Sequence, residues 1–69
     1  MLSGNMLRVL ALLEHGDMDF TSIKKSVRIS EKMLESVIAR LVEQNFINKE
    51  GETYRLTEKG FEVLKKQKA

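Results

Sequence analysis

Lys24, Lys25 and Arg28 stand close together in a stretch, Thr21–Ser30, that contains no acidic residue. Cations at that spacing can neutralise neighbouring phosphates of a nucleic-acid backbone, or form the solvated face of a short helix. Beyond Ser30, Lys32, Ser36 and Arg40 recur at every fourth position, which on a helix puts them on one face a turn apart. Such a row can reach base edges in a groove, with arginine suited to guanine. Pairing of Lys32 and Arg40 with Glu31, Glu35 and Glu43 along the same helix is the alternative. Lys49 and Arg55 form a third set, on two short segments separated by Gly51, where they could touch phosphates or pair across strands with Glu50 and Glu52. The candidate DNA-binding residues are thus Lys24, Lys25, Arg28, Ser30, Lys32, Ser36, Arg40, Lys49 and Arg55.

Other chemistries lack their parts. There is no Cys and one His, His15, so a structural zinc site has too few ligands and no disulfide can form. No Cys–His or Ser–His constellation and no glycine-rich phosphate loop is present, which argues against an enzyme and against a bound cofactor. His15 reads as a helix-end residue favoured by the dipole. No apolar run approaches the ~18 residues of a membrane span, and the start lacks a charged region ahead of its apolar stretch, so no signal peptide is expected. Nor is a small-molecule pocket or sensor segment legible. Net charge is only +2, from 12 basic and 10 acidic residues, but it is segregated. Residues 1–20 hold Arg8 against Glu14, Asp17 and Asp19, while the tail holds Lys65, Lys66 and Lys68.

The elements that must position these residues follow from caps and periodicity. A chain of 69 residues allows one domain, 1–69, with one small core. Helix one is expected over Asn5–His15, capped by Ser3 or Asn5, with Gly16 at its left-handed end. Met6, Val9, Leu10 and Leu13 make its core stripe. Leu7 and Leu12 lie outside it, so the helix is either wrapped centrally by the others or, together with Leu2 and helix four, supplies a homodimer interface. Phe20 is expected to enter the core, after a connector with room for a short strand near Met18–Phe20. Thr21 is expected to cap helix two, about Ser22–Val27, in which only Ile23 and Val27 are apolar.

Ser30 is placed as the cap of helix three, about Glu31–Gln44, with Glu31 at the positive end of its dipole. Leu34, Val37, Ile38, Leu41 and Val42 form the inner face and Met33 the border. Phe46–Lys49 and Thr53–Leu56 read as a hairpin, with Tyr54 in core or hairpin packing. Thr57 caps helix four, anchored by Phe61 and Leu64. Gly60 is costly inside a helix, by ~1 kcal/mol against Ala, and points to a close backbone approach or to the frayed helix start. The fold class is mostly α with a small β-hairpin: a winged helix-turn-helix with a three-helix core, a two-stranded wing and a C-terminal helix.

The residues also carry a resemblance. Ile29-Ser30-Glu31-Lys32-Met33-Leu34, followed by Leu41-Val42-Glu43-Gln44-Asn45-Phe46-Ile47, resembles the recognition-helix segment of small prokaryotic winged-helix regulators. Tyr54-Arg55-Leu56-Thr57-Glu58-Lys59-Gly60 resembles their Y-x-L-T-x-x-G at the end of the wing. The group is the broad MarR-, ArsR- and PadR-like superfamily with its minimal archaeal-type relatives, and the match covers about residues 5–64. It implies a cytoplasmic, commonly homodimeric transcription regulator that binds double-stranded DNA, with helix three, about 31–44, as recognition helix and the 46–56 hairpin as wing. Lys24 stands where such proteins often have Ala, and Arg28 and Asn45 where they often have Gly. The acidic residues of helix three and the modest net charge fit an alternative, a winged-helix adaptor that binds protein and no DNA; the basic helix two fits DNA.

Overall fold

The computed structural model describes residues 2–68, with the backbone alone at Lys68. Its elements run α1 (Gly4–Leu13), β1 (Met18–Asp19), α2 (Phe20–Val27), α3 (Glu31–Glu43), β2 (Ile47–Glu50), β3 (Thr53–Leu56) and α4 (Glu58–Lys68). The strands form an antiparallel sheet in the order β1-β3-β2. The short strand at Met18–Asp19 pairs with β3, so the sheet has three strands rather than the hairpin's two.

Each helix begins at a side-chain cap. Ser3 Oγ accepts the Met6 amide proton, which starts α1 one residue earlier than expected. Ser30 Oγ accepts from Met33 as anticipated. Helix two departs from expectation. Asp19, not Thr21, is its cap, its carboxylate accepting the Ser22 amide proton at 2.8 Å. A carboxylate at the positive helix end outcompetes a hydroxyl two residues on, so α2 begins at Phe20 and takes Thr21 inside.

α1 lies at the centre, touching α2, α3, α4 and β3. Met6, Val9, Leu10 and Leu13 are buried with Ile23, Val27, Leu34, Val37, Ile38, Leu41, Phe46, Ile47 and Leu64. Leu2, Leu7 and Leu12 are half-buried against this core, as are Phe20 and Tyr54, so the fold itself takes up much of the apolar surplus of helix one. Two assignments change. Phe61 is 41% exposed, leaving Leu64 as the buried anchor of α4, and Val42 is 39% exposed despite its place beside the inner face of α3.

The corner after α3 fixes the hairpin. Asn45 adopts φ 64°, and the Phe46 and Asn45 amides donate to the carbonyls of Leu41 and Val42. That is the Schellman closure, with Asn in the place glycine usually fills. The start of α4 is stitched to this corner. Thr57 donates its amide proton to the Phe46 carbonyl and its hydroxyl proton to the Asn45 carbonyl, at 2.6 Å, while Thr57 Oγ1 accepts from the Gly60 amide. Gly60 rests directly on Phe46. A Cβ there would overlap the Phe46 carbonyl oxygen and come within 2.9 Å of Leu56 Cδ1. Close approach is therefore the reason for a glycine at this point.

Candidate nucleic-acid interface

α2 and α3 are joined by Arg28, Ile29 and Ser30, which form the tight turn of a helix-turn-helix. Arg28 closes α2 in the left-handed conformation, φ 52° and ψ 45°, and its amide donates to the Lys24 carbonyl. Lys25 and Arg28 are exposed, and Lys24 is half-buried. Ser30 keeps its hydroxyl proton available while its oxygen caps α3, so it can still donate to a phosphate. Lys25 lies near Asp19, whose carboxyl is held below its ordinary value of 3.8, first by the hydrogen bond from the Ser22 amide and less by the Lys25 charge.

On α3, Leu34, Val37, Ile38 and Leu41 point inward. At helical spacing, Lys32 and Ser36 therefore point outward, while Ala39 and Glu43 lie toward the flank that meets the sheet. Arg40 and Met33 lie on one flank, lining a shallow depression with Ser3 and Met6. Among the described residues, Lys32 and Arg40 make no ion pair with the glutamates of their own helix. The lysines and arginine of α2 and its turn are likewise outside the ion pairs.

The hairpin separates its two cations. Lys49 lies opposite Tyr54 and Arg55 opposite Asn48, and successive residues of a strand face opposite sides of a sheet. Lys49 and Tyr54 consequently share the side that meets α3. Arg55 is on the far side, its guanidinium 3.4 Å from Asp17 and 3.5 Å from Glu50. Glu52 stays out of this arrangement, so one of the two acidic partners expected from the sequence is replaced by Asp17, a residue of the connector.

Sequence reasoning missed a groove between the other flank of α3 and the sheet. Phe20, Ile38, Ala39, Val42 and Tyr54 line it, Glu31, Glu35, Glu43 and Lys49 stand around it, and it is open to solvent, with a volume of about 650 Å³. The exposed Val42 faces this space. The signal available in the sequence was Glu31 and Glu35 at nearly the same helical angle as Val42, one helical edge that is both acidic and apolar.

Among the described residues, no helix is long and apolar enough to cross a membrane, and no three His, Cys, Asp or Glu side chains are grouped to hold a metal.

No curated protein sequence matches the chain. Among solved structures, it superposes on BpsR of Bordetella bronchiseptica, whose DNA binding is regulated by 6-hydroxynicotinic acid, with TM-score 0.86 at 20% identity. The match covers 96% of this chain and 52% of that one, so the chain spans about half of BpsR. A transcriptional regulator from Clostridium thermocellum, Cth-833, matches with TM-score 0.81 at 26% identity, covering 97% of this chain and 84% of that one. The family model described as winged helix-turn-helix matches residues 5–69. Helix, turn, helix and hairpin, arranged on one three-helix core, agree with that match, and the chain belongs to the winged helix-turn-helix family.

Proposed function

We propose that the chain is a DNA-binding transcription regulator that lays α3 in the major groove of a duplex and meets the flanking phosphates with the α2–α3 turn. The observation that carries this is the set of exposed cations Arg28, Lys32 and Arg40 on the helix-turn-helix, none of them in an ion pair among the described residues, with Lys25 beside them near Asp19. Lys24, Lys25, Arg28 and Ser30 contact the backbone, and Lys32, Ser36 and Arg40 face the bases. Lys49 adds a wing contact, whereas Arg55 must leave Asp17 and Glu50 to do so. Cth-833, similar at 26% identity over most of its length, is a transcriptional regulator, which supports the same role here.

The protein acts in the cytoplasm as a homodimer joined through α1 and α4, where Leu2, Leu7 and Leu12 are half-buried and Phe61 is exposed. A two-fold axis would set the recognition helices one DNA turn apart, ~34 Å. Sedimentation that finds only monomer at micromolar concentration removes this part.

Anisotropy titrations on random and genomic duplexes, repeated over a range of salt, test the whole. Binding should weaken steeply with salt, and Arg28→Ala or Lys25→Ala should weaken all sequences alike while lowering the salt slope by about one unit. Arg40→Ala should cost ~1–3 kcal/mol on the preferred site and less elsewhere. Glu35→Gln should tighten every duplex, since a carboxylate beside the groove repels phosphate. A loss of discrimination at one base pair would instead mean that Glu35 accepts from cytosine. Absence of duplex binding at low salt would leave the adaptor reading.

A further inference from the structure

The groove between α3 and the sheet combines features that a groove prepared only for DNA would not. Its floor is apolar and includes two aromatic residues, Phe20 and Tyr54, with Ile38, Ala39 and Val42. Three carboxylates, Glu31, Glu35 and Glu43, stand around it against the single ammonium of Lys49. Among the described residues, none of the three glutamates is in an ion pair. Lys32 and Arg40, on the same helix, project elsewhere, so the helix does not neutralise its own acidic edge.

We propose that this groove binds a small lipophilic organic cation. Charge complementarity selects the sign of the occupant: an anion would meet three carboxylates, and a neutral molecule would leave them unmatched. Aromatic rings attract a cation through the negative faces of their π-systems, and the aliphatic wall takes the hydrophobic body. Volume selects the class, because about 650 Å³ lies within the roughly 300–1,000 Å³ of small-molecule pockets. The ammonium or phosphonium centre sits toward Glu35 and Glu43, with the apolar part against Val42, Phe20 and Tyr54. This goes beyond the DNA reading and does not rest on it, since no nucleic acid takes part.

Calorimetric titration of the full chain with tetraphenylphosphonium, and separately with neutral triphenylphosphine oxide, tests the proposal. The cation should bind at least roughly tenfold more tightly than the neutral compound. Its amide NMR perturbations should centre on Phe20, Ala39, Val42 and Tyr54. Replacing both carboxylates, Glu35→Lys with Glu43→Lys, should abolish cation binding, and both positions are exposed, so circular dichroism should report an intact fold. The milder pair Glu35→Gln with Glu43→Gln should weaken it by roughly tenfold. Equal affinity for cation and neutral compound, perturbations centred away from the groove, or full cation binding by the doubly charge-reversed variant would each overturn the assignment.

Discussion

The Arg55 guanidinium reaches across from the central strand to the carboxylate of Asp17, at 3.4 Å, through both a hydrogen bond and an ion pair. Asp17 precedes β1 and Arg55 lies in β3, so the contact ties the connector after α1 to the outer side of the hairpin. It also takes an arginine out of the set available to phosphate. Both groups are exposed, and such pairs add only ~0–1 kcal/mol to stability.

Asp17→Asn combined with Glu50→Gln should therefore leave the unfolding midpoint nearly unchanged but free Arg55 of both its ion pairs. On duplex DNA the variant should bind more tightly, with a salt slope steeper by about one unit if the freed arginine reaches a phosphate. Arg55→Ala should alter neither affinity nor slope in the parent protein. A large loss of affinity in Arg55→Ala would show that the arginine already leaves Asp17 for the duplex.

Gly60 is the position where ordinary helix propensity should fail. On an open helix, Gly→Ala stabilises by ~1 kcal/mol. Here the added methyl would meet the Phe46 carbonyl, whose place is fixed by the Thr57 amide and the end of α3. Overpacking of this kind costs ~1–3 kcal/mol. Thermal unfolding should show Gly60→Ala below the parent by ~4–8 °C per kcal/mol, and Gly4→Ala, which meets nothing within 4 Å, at or above it.

These two sites mark what the sequence could and could not reveal. The order of elements was legible because each boundary has a local cause: Ser3, Ser30 and Thr57 cap helices, and Gly51 turns the hairpin at φ 62°. The inner stripes of α1 and α3 were legible because burial repeats at helical spacing. Asp19 was assigned to a connector because its capping role depends on where the chain leaves β1, and that strand is set by pairing with distant Tyr54 and Thr53. Phe61 carried the right spacing for a core anchor, yet spacing alone does not say how far the α1 surface extends beneath it. The groove was invisible for the same reason: it exists only once Tyr54 and Lys49 of the hairpin face Val42 and Glu35 across space. The candidate cations were found by type and clustering, but the opposite facing of Lys49 and Arg55 follows from strand register.

Asp19 gives a pH prediction whose sign is fixed. The Ser22 amide stabilises its ionised form and lowers the carboxyl pKa in the folded chain below 3.8. A depressed folded value means that the cap contributes fully above the unfolded pKa and is lost as pH falls through the lowered value. Asp19→Asn keeps a capping oxygen that does not titrate. Acid unfolding followed by circular dichroism should therefore show a smaller loss of stability below about pH 4 for Asp19→Asn than for the parent. Parallel acid curves for the two proteins would remove the cap from the account of acid sensitivity.

Arg28 offers the cleanest separation of fold from function. It holds φ 52° at the end of α2, a conformation that favours glycine. The left-handed region costs an L-residue ~1–2 kcal/mol. Glycine enters it without steric cost but returns ~0.5–1 kcal/mol through chain entropy. Arg28→Gly should consequently raise stability by ~0.5–1 kcal/mol, a few degrees in unfolding midpoint for a domain of this size. If the guanidinium meets a phosphate, the same variant should weaken every duplex and lower the salt slope by about one unit. Arg28→Ala should match its DNA binding while remaining at or below the parent in stability, because alanine retains the strain and loses only the charge. A glycine variant that is more stable and still binds DNA with the parental affinity and slope would show that Arg28 contacts no phosphate, and the proposed interface would then have to rest on Lys25, Lys32 and Arg40.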